Sequence, residues 1–415
     1  MILKARMLSM LLLAAHMLLW FAGCNDDKGG DSKESLASIV AETVNYSTTT
    51  NCITTQGARG VTYAAVIAGQ GEEVWCSFAL NEPITETNGT AGDPLYLYLQ
   101  PNRTGEDRTA RIDLTFSDGY AASFTMTQRS SGSTTTYDYE RSWGEQPVYL
   151  ENADFIYKTY YTTLTTTEYV TGGYKRNYSI CYDCGKHVSR WVAYPVHYCY
   201  TTPAGSRTDA WSFDPNNQPP AIPREYQQYI LKGYGPYGYD RGHMLASATR
   251  YNNDATNEMT FYATNMMPQA SRFNQGIWGT LEGLERGWGP ERQKTDGKFI
   301  NYDTLYVVTG THFATDRTID NQNGPIAVPS HCWKVMLRQR GNENRQISEF
   351  GADELKAIGF LFTNDNAGAG MSLREAACTV REIEELTGFT FFRNLDPGVA
   401  ETVKGRMDYS DWPGL

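Results

Sequence analysis

In Tyr239-Asp240-Arg241-Gly242-His243-Met244 a histidine and an arginine stand two residues apart, and farther along Asn274-Gln275-Gly276-Ile277-Trp278 leads into Leu281-Glu282. A neutral imidazole takes a proton from water near neutral pH, its unperturbed pKa being ~6.5. A guanidinium stays charged and grips phosphate oxygens in bidentate fashion. An amide oxygen and a carboxylate are donors that a hard cation such as Mg²⁺ accepts while keeping several of its waters. Together these are the parts needed to break a phosphodiester around one hard cation.

Each piece alone has a plainer reading. An Asp-Arg-Gly-His run is common in surface loops, an asparagine before a helix is most often its N-cap, and a helical glutamate is most often a solvated charge. The combination outweighs these readings. On a helix, Asn274 lies four residues before Trp278 and seven before Leu281 and so shares their inward face. A buried amide there needs partners, and a cation on its carbonyl oxygen supplies one. Glu282 follows eight residues on, about 80° around by the 3.6-residue period. Asp240 reads as a support for the loop, not as a group that touches substrate.

These residues need a frame, and the pattern around them is that of an α+β domain spanning residues 151–412. Strands are expected over 155–167, 174–181, 190–199, 304–309 and 332–337, most clearly at Trp191-Val192-Ala193-Tyr194 and Leu305-Tyr306-Val307-Val308. One helix is predicted from Asn274 to Arg286, with Ile277, Trp278, Leu281 and Leu284 facing inward. A second is predicted from Ser372 to Leu386, opened by the capping pair Ser372 and Glu375. Ahead of a polar linker at 130–150, residues 36–129 show strand runs at 61–68, 73–80, 95–100, 111–117 and 121–128. The last two alternate apolar and polar residues across Ser117-Asp118-Gly119, a β-hairpin signature. A small all-β immunoglobulin-like sandwich fits this segment.

At the N-terminus, Lys4 and Arg6 precede an apolar run from Met7 to Phe21 that ends at Ala22-Gly23-Cys24. Residues 1–23 read as a signal peptide. The small residues before Cys24 resemble a bacterial lipobox, which makes Cys24 the lipidated first residue of the mature chain, residues 24–35 a polar tether, and the cell envelope, reached through a membrane anchor, the expected location. With residues 1–23 removed, 34 basic residues face 47 acidic ones. That balance disfavours tight nonspecific holding of nucleic acid, which needs Lys and Arg against phosphate, but leaves room for a local positive site. Seven cysteines remain beside Cys24; Cys52 with Cys76 is a plausible bridge. Cys181-Tyr182-Asp183-Cys184 lacks a second ligand pair at zinc spacing.

Over residues from about 150 to 410 the chain resembles the DNA/RNA non-specific endonucleases, a ββα-metal (His-Me finger) family that includes endonuclease G. The resemblance rests on the Asp240-Arg241-Gly242-His243 motif, on Trp191 to Tyr194, Asn265 to Gln269, Asn274 to Glu282 and the strand ending in Thr309-Gly310, and on Val328-Pro329-Ser330-His331-Cys332-Trp333-Lys334. It implies a ββα-metal domain with a mixed or antiparallel sheet and flanking helices. It further implies His243 as general base, Asn274 as the direct protein ligand of Mg²⁺ (Mn²⁺ being an alternative), Glu282 reaching the cation through water, and Arg241 on phosphate. Arg207 falls where the family has a second phosphate-binding arginine, at a different spacing to its tryptophan. Asn265 and Gln269 are implied as supports, whereas His312 and His331 match no catalytic position. The implied activity is metal-dependent hydrolysis of DNA, RNA or both. The rival readings are a noncatalytic nucleic-acid- or glycan-binding surface lipoprotein, and a phosphodiesterase of the same fold with another substrate.

Overall fold

The computed structural model describes residues 35–130, 143–162, 175–289 and 304–415, apart from single residues 45, 47, 72, 81, 103, 203, 342 and 344. The expected signal peptide, Cys24, nearly all of the tether and most of the linker lie outside the described residues. From residue 35 on, the described chain belongs to one compact unit, and none of its helices is long and apolar enough to cross a membrane.

Residues 36–128 form two sheets. Strands β1 (Leu36–Ile39), β3 (Thr50–Gln56), β7 (Leu95–Leu99) and β5 (Cys76–Ser77) make one, in the order β1-β3-β7-β5. Strands β2 (Thr43–Val44), β9 (Ala121–Gln128), β8 (Arg108–Phe116), β4 (Thr62–Ala68) and β6 (Glu86–Thr90) make the other, in that order. The predicted hairpin is β8–β9, with Ile112 opposite Phe124 and Leu114 opposite Ala122. Gly119 closes its turn at φ +92°, where a side chain would be strained. Alternation along β4 and β8 delivers Tyr63, Ala65, Ile67, Ala110, Ile112, Leu114 and Phe116 to a core between the sheets.

The expected Cys52–Cys76 bridge is absent, and both residues are free thiols. Cys52 lies on β3 opposite Tyr96, whereas Cys76 lies on β5 opposite Leu99. Strand β7 therefore stands between them. Two strand spacings amount to ~9.5 Å, beyond the ~7 Å that a disulfide spans between Cα atoms.

The remainder is built on a seven-stranded antiparallel sheet of β10 (Phe155–Thr162), β11 (Lys175–Asp183), β12 (Val188–Val196), β15 (Leu305–His312), β18 (His331–Gln339), β19 (Leu355–Thr363) and β20 (Ala377–Cys378), in that order. Both faces are covered, which is why its strands read as nearly continuous apolar runs. In β12, Trp191 and Ala193 enter a core shared with Val380, Ile383, Phe389 and Val403. Val192 and Tyr194 enter the opposite core, with Met244, Phe273, Trp278 and Leu281. The layer that carries Asp-Arg-Gly-His and Asn274 is thus pinned to one face, and helices Val380–Thr387 and Pro397–Lys404 to the other.

The helix predicted over 372–386 is two. Leu373–Ala376 is capped by Ser372, and Val380–Thr387 starts afresh from a second capping box, Thr379 with Glu382. Between them Ala377–Cys378 pairs with β19 as the sheet's edge. Tyr96 of the sandwich meets the larger sheet's loops, its hydroxyl accepting from Arg224 N at 3.2 Å and Asn216 Nδ2 at 3.4 Å.

Candidate active site

Strand β13 (Tyr239–His243) pairs antiparallel with β14 (Met266–Ala270), placing His243 opposite Met266 and Asp240 opposite Gln269. Chain leaving β14 turns at once into Ser271–Phe273, a wide turn at Asn274–Trp278, and the helix Gly279–Trp288. Two short strands and a helix therefore form a ββα unit. The predicted helix does not run unbroken through Asn274, because Gly276 takes φ −101°, ψ −111°, far from helical values. Asn274 is set by a side chain instead of by helical phase: its Nδ2 donates to Asp240 Oδ2 at 3.0 Å. Gln275 Nε2 and Ser271 Oγ donate to the same carboxylate at 2.8 and 2.7 Å. Partial burial works to raise the Asp240 pKa, but these three donors and Arg241 outweigh it and hold the group below the usual carboxylate range.

His243, Arg241, Arg207, Asp240, Asn274 and Glu282 all line one cleft of about 520 Å³. Residues two apart on a strand share a face, which brings Arg241 beside His243. Between them stands Trp211, its ring 5.4 Å from the imidazole and 3.6 Å from the Arg241 guanidinium. On the other side Phe261 meets the imidazole edge-on at 5.0 Å and carries Arg207 at 4.9 Å. Burial, then the charges of Arg207 and Arg241, depress the His243 pKa to about 3. Arg207 is also paired with Asp209 at 2.8 Å, and Arg241 donates to Ile230 O at 2.8 Å. Glu282 is pushed up to about 7, chiefly by burial and secondarily by Glu285, with Lys334, Arg286 and the Trp278 indole opposing.

Asn265 and Gln269 stay behind the cleft wall. Asn265 donates to Leu245 O and Thr260 O at 2.9 and 2.7 Å and accepts from Leu245 N at 2.9 Å, clamping the chain that follows His243. Gln269 packs so closely on Gly242 that a Cβ there would lie 2.3 Å from its Oε1. His312 and His331 face each other across β15 and β18, with ring centroids 5.8 Å apart, and do not line the cleft. Cys181 and Cys184 are free and buried, and among the described residues no three His, Cys, Asp or Glu side chains cluster for a metal.

Several contributors carry no signal in the motif region itself. Trp211 and Phe261 enclose the imidazole, and Arg286 joins the cleft one turn after Glu282. Beneath the helix lies a fully buried node in which Lys334 Nζ donates to Glu285 Oε2 at 2.7 Å and to the Tyr194 and Thr309 hydroxyls at 2.9 Å each. Burial alone would lower the Lys334 pKa, but Glu285, Tyr194 and Glu282 outweigh it and raise the pKa above the ordinary lysine value. Removing one member of such a pair strands the other charge, at a cost of about 3–5 kcal/mol. Tyr194, Thr309 and Lys334 come from three of the segments that carry the family resemblance, so their recurrence together was the available signal.

Comparison with known proteins identifies the family. The sequence model of the DNA/RNA non-specific endonuclease family matches residues 158–398. A nuclease of Nostoc sp. is 28% identical over 249 residues, covering 60% of this chain and 81% of that protein. The mitochondrial nuclease EXOG of Mus musculus is 27% identical over 230 residues and that of Homo sapiens 29% over 236. Each of those two matches covers 53% of this chain and 56% of the mitochondrial protein.

Proposed function

The chain belongs to the DNA/RNA non-specific endonuclease family, and from that premise we propose that it is a divalent-cation-dependent endonuclease hydrolysing DNA, RNA or both. The observation that carries this reading is the meeting of His243, Arg241, Arg207, Asn274 and Glu282 on one cleft. His243 acts as the general base. Its Nε2 is enclosed without a hydrogen-bond partner, so Nδ1 is the atom assigned to take the proton of a water in the cleft. That water attacks phosphorus in line. Arg241 and Arg207 hold the nonbridging oxygens and stabilise the charge that builds on them.

The donor set fits Mg²⁺. Asn274 commits its Nδ2 to Asp240, which leaves Oδ1 as the ligating atom. Glu282 offers carboxylate oxygens in the same cleft, suited to the waters that such a cation retains; Mn²⁺ accepts the same oxygen donors. When bound, the cation supplies charge neutralisation and an acidified water for the departing 3′ oxygen, and products carry 5′-phosphates. Asp240 keeps Asn274 in place and Asn265 holds the strand end that bears His243. Because the protein's contacts fall on phosphate and not on base edges, little sequence preference is expected.

A plasmid-degradation assay with Mg²⁺ or Mn²⁺ tests the reading, comparing the protein with His243→Ala. The protein should degrade plasmid and the variant should lose at least a hundredfold in rate. Inactivity of both sinks the nuclease reading, and survival of activity in the variant removes His243 from the mechanism. We further propose export and attachment to the cell envelope through lipid on Cys24. Palmitate labelling that persists in Cys24→Ala would contradict the lipid site.

A further inference from the structure

We propose that Lys334, which has no exposed surface and does not touch the cleft, is a positioning residue for its cation-binding half, acting through Glu285. The inference rests on the metal-dependent reading above.

Glu282 and Glu285 are three residues apart on Gly279–Trp288, which places them on adjacent turns of one helix face. One opens into the cleft and the other is wholly buried. Lys334 has three ammonium protons, and the buried node gives it three acceptors: Glu285 Oε2, the Tyr194 hydroxyl and the Thr309 hydroxyl. The Tyr194 hydroxyl also bonds Glu285 Oε2, at 3.1 Å. Glu285's two partners, Tyr194 and Lys334, stand on β12 and β18, and Thr309, which bonds both of them, stands on β15 between, so the node spans three adjacent strands in the middle of the sheet. The Trp278 ring, at the start of the same helix, lies 5.0 Å from Lys334 Nζ.

Apolar packing alone would press the helix onto the sheet but leave it free to slide or rotate by small steps. Charge-assisted hydrogen bonds in a dry interior are short and directional, so any such step breaks one of them. Fixing Glu285 fixes the axial position and rotation of the helix that carries Glu282, while Asn274 is held separately by Asp240. Lys334 thus sets how far Glu282 reaches toward Asn274, without touching water, cation or substrate.

The test measures Mn²⁺ binding by electron paramagnetic resonance, alongside steady-state kinetics on DNA, in the full chain. Lys334→Met/Glu285→Leu removes both charges together and leaves none stranded. It is expected to fold, to bind Mn²⁺ about tenfold more weakly, the effect typical of residues that orient a metal's ligands, and to lose kcat with little change in KM for DNA. A purely structural role would lower the active fraction without moving the Mn²⁺ dissociation constant. Binding weakened by less than threefold in the folded double variant overturns the inference. Tyr194→Phe, which keeps the ion pair and removes one brace, carries the same threefold criterion should the double variant not fold. Asn274→Ala separates the two levels. If that change leaves Mn²⁺ binding intact, the metal site itself is wrong, whereas loss in Asn274→Ala with unchanged binding in the double variant refutes only the role of Lys334.

Discussion

His243 stands between Trp211 and Phe261, and beyond each ring lies a guanidinium. Enclosure and the two positive charges act in the same direction, against the imidazolium, and take the pKa to about 3. The sign for activity follows: a base that is neutral down to pH ~3 does not lose competence as the solution is made mildly acidic. With Mg²⁺ saturating, so that Glu282 is held charged, kcat/KM should change by less than twofold from pH 7 to pH 5.5. An imidazole of ordinary pKa would lose about eightfold over that interval, and a loss of that size would show that His243 is not enclosed as described. At this scale part was legible, because Arg241 and His243 sit at a two-residue spacing whose geometry a strand dictates, whereas Asn274 and Glu282 reach the same cleft across a non-helical Gly276. Trp211, Phe261 and the Lys334–Glu285 pair were not legible, since they meet only after the chain has folded back on itself.

The strand pair β13–β14 depends on Gly242 for close approach, its missing Cβ leaving room for Gln269. Gly242→Ala would place a methyl 2.3 Å from Gln269 Oε1 and 2.6 Å from its Cβ. The pair must then spread, displacing the neighbouring His243 relative to Asn274. Because a misplacement of ~1 Å can cost about a hundredfold in rate, this variant should lose at least tenfold in kcat while its circular dichroism stays native; kcat within threefold of the parent would refute the argument. Helix ends show the same dependence on single residues. Thr379 restarts a helix that periodicity alone would continue from Ser372, and Thr379→Ala should cost about 1 kcal/mol in urea unfolding. Leu355–Thr363 escaped the pattern altogether, for a short continuous apolar run has no period that separates a buried strand from a buried helix. Asn274 lines the cleft, but not by the helical phase expected of it: that phase fails at Gly276, and Asp240 supplies the constraint instead.

Across the whole molecule, acidity and nuclease chemistry are reconciled by locality. The chain carries 47 acidic against 36 basic residues, yet the cleft gathers Arg207, Arg241 and Arg286 around a single point. The sheet makes this possible, because its two covered faces fix the cleft-bearing layer without help from a basic exterior. Binding to DNA should therefore involve few phosphates. Each neutralised phosphate contributes a slope of about −0.9 to the dependence of log affinity on log salt, so two or three arginines give roughly −2 to −3. Fluorescence anisotropy of the His243→Ala variant with labelled duplex, titrated with KCl in EDTA, measures that slope without cleavage. A value of about −5 or steeper would mean that basic surface outside the cleft takes part, and that the enzyme holds its substrate along a track and not at a point.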